Sequence, residues 1–245
     1  LKFSFAAPYY DQIRLELPGL IKKTGAKKIC TIYQDDEFGL EVLRGAEAAL
    51  KGMNLSLTEK TSFKRGATDF SSQVARMKSS GCDFVVLGTL IRETIGTIGE
   101  SRKTAFSPTF LGSSGAYTDL IHKLGGRPMD GLYAVMTVQQ PYEDETDPKI
   151  REWAGKYKTA FSEDATVFSA YGYMLVDTFA QAAAKAGPDL STDSFVKVMD
   201  NNMVFPRDFL GMPEMKFNAK RRLGNEHSRL SQLVDGRWKV ISDYK

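Results

Sequence analysis

The chain has 245 residues, of which 42% are hydrophobic and 26% charged, with 33 Lys and Arg residues against 30 Asp and Glu residues. This balance is that of an ordinary folded protein, and it excludes a disordered tail, a collagen-like repeat and a small disulfide-framework protein. The net charge of +3 is interleaved along the chain and is too small to predict nucleic-acid binding.

Helical and strand patterns alternate over the first two-thirds of the sequence. The predicted helices lie at 11–23, 37–51, 70–77, 92–103 and 120–124. The predicted strands lie at 28–33, 55–57, 84–88, 109–112 and 132–138. Pro18 lies inside the first helical pattern and is expected to bend or break it. Apolar strands in repeated β-α units predict a doubly wound parallel sheet with helices on both faces.

The pattern changes after Pro141, where three helical segments follow one another without a strand between them. They are predicted at 148–161, 167–186 and 191–201, and their apolar faces are too broad to be left in water. Either these helices pack together as a bundle, or they cover a sheet whose strands are not in this chain. The sequence ends with 230–241, where Asp235-Gly236 predicts a type I′ hairpin.

Signals for catalysis, cofactors and metals are weak. Neither a dinucleotide-binding glycine motif nor a phosphate-binding loop is present. Gly112-Ser113-Ser114-Gly115 resembles a nucleophile elbow, but its second glycine is one position too close. Two histidines and two cysteines lie scattered, without metal-ligand spacing. Cys30 and Cys82 could pair or stay free, and free buried thiols are favoured. No apolar run reaches the roughly 18 residues of a membrane helix.

Four segments together resemble the leucine/isoleucine/valine-binding type of class I periplasmic binding protein, which serves ABC transporters. They are 26–39, with its aromatic-Gly pair Phe38-Gly39, then 66–78, 82–88 and 110–112 with Tyr133 beyond them. Each motif alone is only moderately specific. Their order and spacing carry the resemblance, which extends from Phe3 to the terminal hairpin.

The resemblance implies a two-lobed clamp in which the chain crosses between lobes three times. It places 3–141 in the second lobe, 142–227 in the first lobe, and 228–245 back in the second lobe. It also implies a further half-lobe ahead of Phe3. Two explanations for its absence stay open, a longer protein from which a section is missing, which is favoured, or a naturally shortened variant.

Ligands of open parallel sheets bind outside the carboxyl ends of the strands, which points to the loops after Tyr33, Leu87 and Leu111. The resemblance implies ligand contacts in the same loops and at the first crossing between lobes. The predicted ligand-binding residues are Tyr9, Tyr10, Gln34, Phe38, Thr89, Leu90, Ser113 and Ser114.

Ser114 stands where the amino-acid binders of this type carry a glutamate that pairs with the ligand's ammonium group. A buried ammonium without an anionic partner is unfavourable by several kcal/mol. Asp35 or Glu93 could replace that glutamate, although each is expected to face water or cap a helix. Arg92 could attract a carboxylate, but a solvated arginine is favoured. An apolar or aromatic organic acid is therefore the first expectation, and a branched-chain amino acid the second.

Taken together, the resemblance predicts an extracytoplasmic solute-binding protein that is not an enzyme, uses no cofactor and delivers a small ligand to an ABC permease. The expected location is the periplasm, or a lipid-anchored extracytoplasmic position in a Gram-positive source. A sensory ligand-binding domain on the same fold stays open as an alternative. A small serine hydrolase that uses Ser114 is a second, less favoured one.

Overall fold

The computed structural model describes residues 2–245 and divides them into two compact units. The sheet unit consists of Pro8–Met136 and Ser228–Lys245. The helical unit consists of 2–7 and Thr137–His227. The assignment of 3–141, 142–227 and 228–245 to functional lobes stays a prediction.

The elements of the described chain follow the alternation that the sequence predicts. The helices are α1 (Tyr9–Thr24), α2 (Glu37–Lys51), α3 (Ser71–Ser79), α4 (Ile91–Lys103), α5 (Leu120–Gly125), α6 (Pro148–Phe161), α7 (Val167–Ala186) and α8 (Thr192–Asp200). The strands are β1 (Ile29–Gln34), β2 (Glu59–Phe63), β3 (Phe84–Gly88), β4 (Thr109–Gly112), β5 (Tyr133–Met136), β6 (Met203–Phe205), β7 (Met215–Phe217), β8 (Arg229–Val234) and β9 (Arg237–Val240).

One seven-stranded sheet forms the centre of the sheet unit, in the order β2-β1-β3-β4-β5-β8-β9. The first five strands pair in parallel, and β8 and β9 join in antiparallel fashion. The predicted α/β fold with a doubly wound parallel sheet is confirmed. The terminal hairpin is confirmed as well, since Asp235 and Gly236 have φ of 52° and 70°, the positive values that a type I′ turn requires.

The core of the sheet unit lies between β1, β3 and the pair α1 and α2. Leu17 and Leu20 of α1 and Leu50 of α2 are buried against strand residues that include Phe84. Pro18 lies within α1, which continues to Thr24, so the predicted break does not occur. The helix ends at Gly25, in the left-handed conformation with φ of 70°.

Two local predictions are wrong. The strand expected at 55–57 begins instead at Glu59, and Leu55 is exposed. Cys30 and Cys82 are joined in a disulfide with Cα atoms 6.0 Å apart, so they are not free thiols. The reason is the strand order: β1 and β3 are direct neighbours, and Ile29 pairs with Phe84, which brings Cys82 beside Cys30.

The helical unit contains α6, α7, α8 and a two-stranded antiparallel sheet of β6 and β7, which the sequence did not predict. Asp147 caps α6, and Pro148 follows at its first position. Phe179 of α7 stacks on Phe195 of α8 at 5.2 Å between ring centroids. Packing among these helices leaves much of α7 uncovered, since Phe179 is 54% exposed and Val176 is 67% exposed.

Candidate functional site

The site predicted at the carboxyl edge of the parallel strands lies wholly within the sheet unit. It consists of the start of α1 and the three loops that follow β1, β3 and β4. Each loop leads directly into a helical turn, so short backbone segments determine where its side chains lie. Gln34, the last residue of β1, is buried, as are Thr89 and Ser113 in the loops after β3 and β4.

The loop after β1 is built around Asp36, the N-cap of α2. One carboxylate oxygen of Asp36 accepts a hydrogen bond from the Gly39 backbone N–H at 3.2 Å, and the other accepts one from the Gln34 side-chain amide. The side chain of Gln34 is therefore held by the helix cap that follows it in the chain. Asp35, the neighbouring carboxylate, is exposed and does not cap the helix.

A glycine is required at position 39 because α2 starts directly against the end of β1. A Cβ atom at Gly39 would lie 1.9 Å from the carbonyl oxygen of Gln34. We expect Gly39→Ala to lower the free energy of unfolding by about 1 to 3 kcal/mol, because a backbone atom cannot move aside cheaply. Gly99→Ala on α4 is the control, since nothing lies within 4 Å of its added methyl. Urea unfolding that gives equal values for the two variants would contradict this account.

Two aromatic rings meet where α1 and α2 begin. Tyr9 and Phe38 contact each other edge to face, with 4.8 Å between ring centroids. Burial raises the pKa of the Tyr9 hydroxyl, and the nearby Glu41 carboxylate raises it further. Tyr9 therefore stays protonated at neutral pH and keeps its hydrogen-bond donor. Tyr10 is half-buried beside Arg14, whose guanidinium lies 5.9 Å from the ring centroid.

In the loop after β3, two neighbouring residues have opposite surroundings. Thr89 is fully buried, and its hydroxyl shares a 2.6 Å hydrogen bond with that of Thr94. Leu90 is 37% exposed and stands at the N-cap of α4. Glu93 in the first turn is buried and receives a 2.9 Å hydrogen bond from Arg92, so Arg92 and Glu93 are paired with each other.

The loop after β4 contains Ser113 and Ser114 in a short 3-10 turn. The Ser113 hydroxyl oxygen accepts a hydrogen bond from the Gly115 backbone N–H at 3.2 Å. Ser114 is held differently, by the side chain of Gln12 on α1: its backbone N–H donates to Gln12 Oε1 at 2.8 Å, and its hydroxyl oxygen accepts from Gln12 Nε2 at 3.0 Å.

All three loops approach one another at Gly115. A Cβ atom there would lie 3.2 Å from Leu90 Cδ2 and 3.4 Å from Phe38 Cζ. The structure thus brings Phe38, Leu90 and the serine turn together, with Tyr9 packed on Phe38. The ligand-binding roles of all eight predicted residues stay predictions.

Sequence reasoning missed Gln12, which positions Ser114 and is only 1% exposed. A signal was present, since Gln12 and Glu16 are polar residues one helical turn apart and adjoin the buried positions Ile13 and Leu17. Polar residues on the buried side of a helix need partners, and Gln12 finds its partner in the serine turn.

The hydrogen bonding of Ser114 does not resemble that of a serine nucleophile. A nucleophilic serine donates its proton to a base such as histidine. Here the side-chain partner of the hydroxyl is an amide nitrogen, which donates and cannot take a proton. Among residues 2–245, no group of three or more His, Cys, Asp or Glu side chains is placed to hold a metal ion.

A family model described as "Periplasmic binding protein" matches residues 2–237. The chain belongs to this family. Members of the family are substrate-binding proteins rather than enzymes. In the described part of the chain, no helix combines the length and apolar character needed to cross a membrane.

Similar proteins agree with this assignment. The chain is 23% identical over 186 residues to Leu/Ile/Val-binding protein homolog 8 of Brucella abortus (strain 2308), covering 74% of this chain and 46% of that protein. It spans less than half the length of the curated relatives it matches.

Two solved structures share the fold. A branched-chain amino acid ABC transporter protein from Thermus thermophilus with bound valine has a TM-score of 0.85 at 15% identity, over 99% of this chain and 66% of that one. A fatty acid ABC transporter substrate-binding protein from Thermomonospora curvata has a TM-score of 0.83 at 18% identity, over 97% of this chain and 62% of that one.

Proposed function

We propose that this protein is an extracytoplasmic solute-binding protein of an ABC uptake transporter that binds a small organic ligand and delivers it to the membrane permease. The observation that carries the proposal is the convergence of three loops at Gly115, at the sheet edge where parallel α/β sheets bind ligands. The family membership supports the same function.

The ligand is proposed to be an apolar or aromatic carboxylate, with a branched-chain amino acid as second choice. Phe38, Leu90 and Tyr9 provide apolar surface at this edge, and Ser114 provides a hydroxyl. Two nearby carboxylates are already engaged, Asp36 as a helix cap and Glu93 with Arg92. The third carboxylate, Asp35, is exposed, so an ammonium group buried among these loops would not have a buried anionic partner. The two structural neighbours, a fatty acid ABC transporter substrate-binding protein and a protein with bound valine, represent both ligand classes.

The proposed location is the periplasm or another extracytoplasmic compartment. The Cys30–Cys82 disulfide supports it, because structural disulfides persist in oxidising compartments and are rare in the cytosol. By the family resemblance, we propose that the sheet unit and the helical unit are parts of two lobes that close on the ligand. Closure requires the ligand to bind the closed state more tightly than the open one.

Thermal denaturation of the full-length gene product with phenylacetate, octanoate, leucine and valine tests this function. A ligand at about one hundred times its Kd stabilises the folded state by about 2.7 kcal/mol, so the melting temperature should rise. We expect the rise with phenylacetate or octanoate. Leu90→Glu, which places a negative charge in the apolar wall, should abolish it.

Leu124→Glu is the matched control, since Leu124 is 69% exposed on α5 and should tolerate the charge. If leucine or valine stabilises the protein and neither carboxylate does, the proposed ligand class is wrong while solute binding stands. If none of the four raises the melting temperature, the ligand proposal as a whole fails.

A further inference from the structure

Gln12 and Ser114 form a reciprocal pair of hydrogen bonds across 102 positions of sequence. Gln12 Oε1 accepts from the Ser114 backbone N–H at 2.8 Å, and Gln12 Nε2 donates to the Ser114 hydroxyl oxygen at 3.0 Å. Gln12 is 1% exposed, whereas Ser114 is half-buried. The buried amide thus holds a serine that solvent or a ligand can reach.

The chemistry of these groups fixes which atom donates in each bond. A backbone N–H can only donate, so the oxygen of the Gln12 amide must face it, and the amide nitrogen must then face the Ser114 hydroxyl. An amide nitrogen also only donates, so the hydroxyl accepts this bond and its own hydrogen points elsewhere. The orientation of the Gln12 amide therefore follows from the backbone and does not depend on an assignment of its oxygen and nitrogen.

The hydroxyl hydrogen of Ser114 is available at the convergence of the three loops. Ser114 adjoins Gly115, where the Phe38 and Leu90 side chains approach within contact distance of an added Cβ. Across residues 2–245, Gln12 is the side-chain partner of the Ser114 hydroxyl, and it leaves the hydrogen free to donate. A ligand that reaches this position meets a hydrogen-bond donor beside apolar surface.

We propose that Gln12 is a specificity-determining positioning residue, which turns Ser114 into a hydrogen-bond donor and so selects a ligand oxygen, of a carboxylate or a carbonyl, over an ammonium group. This inference rests on the proposed function and identifies the residue that sets the polarity of its site. Gln12 acts through Ser114 and does not itself reach the ligand.

Two probes that share a ring and differ in charge test this selectivity. Phenylacetate carries the acceptor and 2-phenylethylammonium carries the donor, and isothermal titration gives their Kd values for each variant. We expect the original protein to bind phenylacetate at least tenfold more tightly than the ammonium probe. Ser114→Ala should weaken phenylacetate binding about tenfold, because the donated hydrogen bond to a charged group is lost.

Gln12→Glu should change the Ser114 hydroxyl from a donor to the ligand into an acceptor. A carboxylate at position 12 accepts from both the backbone N–H and the hydroxyl of Ser114, so the hydroxyl hydrogen is no longer available to the ligand. We expect the ratio of the two Kd values to shift at least a hundredfold towards the ammonium probe. Gln12→Met is the uncharged companion and should reduce the preference without reversing it. A ratio that stays unchanged in both Gln12 variants would overturn the proposal.

The double variant Gln12→Glu with Ser114→Ala separates the effect of the introduced charge from that of the hydroxyl. If the shift depends on Ser114, it should be at least tenfold smaller in the double variant. A shift of equal size would show that charge alone reverses the preference, and would overturn the role of Ser114.

A measurement without ligand keeps this inference distinct from the proposed function and from the folding of the Gln12 variants. In ¹H–¹⁵N spectra, the Gln12 side-chain amide signals should shift in Ser114→Ala, and their hydrogen exchange should speed up, while the backbone N–H at 114 keeps its protection from exchange. If neither probe binds any variant, the ligand proposal fails and this spectrum still decides the hydrogen-bond arrangement. Unchanged Gln12 amide signals in Ser114→Ala would overturn it.

Discussion

Reduction of the Cys30–Cys82 disulfide is expected to lower the free energy of unfolding by about 4 kcal/mol. The bond joins residues 52 positions apart, and a closed loop of this length restricts the unfolded chain by about that amount. Cys30 and Cys82 are both buried in the folded protein. Reduction therefore does not give either side chain new contact with solvent in the native state that could offset the loss. Most domains of this size have a total stability of only about 5 to 15 kcal/mol, so the loss is large.

Urea unfolding of the oxidised protein with and without a reductant measures this loss on one sequence. The double variant Cys30→Ala with Cys82→Ala is the control, because reductant should leave its unfolding midpoint unchanged. Ellman titration of the unfolded, unreduced protein should find no thiol. Two titratable thiols, or a midpoint that does not respond to reductant in either protein, would contradict the expectation.

The same disulfide shows where reading the sequence stops being sufficient. The runs that form β1 and β3 are recognisable because they are continuous and apolar, as strands buried on both faces must be. Neither run shows that these two strands are neighbours. β2 follows β1 in the chain, but it lies at the outer edge of the sheet, so that β3 pairs with the other side of β1. The pairing of Cys30 with Cys82 depends on that order.

The errors in local structure have a similar cause. Leu55 and Leu57 alternate with polar residues as a strand would, but the chain pairs with β1 only from Glu59 onwards. β6 and β7 have three residues each, which is too short for a periodic pattern to stand out. A longer element is easier to predict, as α7 shows, since it has the predicted bounds 167–186.

The site itself divides into a predictable and an unpredictable part. Its place at the carboxyl edge of β1, β3 and β4 follows from the geometry of parallel sheets. The geometry of the sheet does not predict which side chains stay accessible at this edge. Accessibility depends on hydrogen-bond partners, such as Asp36 for Gln34 and Thr94 for Thr89. The same limit explains why Gln12 was missed, since its partner lies 102 positions away.

The buried carboxylate of Glu16 on α1, which pairs with the partly exposed Lys245, should make stability depend on pH. Glu16 has a fully buried side chain, and its carboxylate accepts hydrogen bonds from Lys245 Nζ at 2.9 Å and from the Ser228 hydroxyl at 3.2 Å. Burial raises the pKa of Glu16 above its usual value, and the two partners lower it only in part. The native state therefore holds a proton at pH values where the unfolded chain has lost it.

The sign of the effect follows from proton linkage. A pKa that is higher in the folded than in the unfolded protein makes stability greatest at low pH, below the unfolded value. The contribution of Glu16 to stability is then lost as pH rises through its folded pKa. Glu16→Gln cannot ionise, so it should remove this part of the pH dependence.

Removal of the lysine alone should have a large effect at neutral pH. Lys245→Met leaves a buried carboxylate without its cation, which we expect to lower the free energy of unfolding by about 3 kcal/mol at pH 7. The loss should shrink as pH falls and Glu16 takes up a proton. The same substitution in a Glu16→Gln background should cost much less, because no buried charge is left without a partner.

Chemical denaturation at pH 4, 5.5 and 7 measures this coupling in four proteins: the unchanged protein, Glu16→Gln, Lys245→Met and the double variant. Lys60→Met is the matched control in the sheet unit, since Lys60 pairs with Glu47 at 3.0 Å and both side chains are close to half exposed. Such a surface pair contributes only about 0 to 1 kcal/mol, so its loss should be small at every pH. If Lys245→Met costs no more than Lys60→Met at pH 7, Glu16 is not held as a buried ion pair. If its cost is the same in the Glu16→Gln background, Lys245 stabilises the protein through packing of its apolar stem instead.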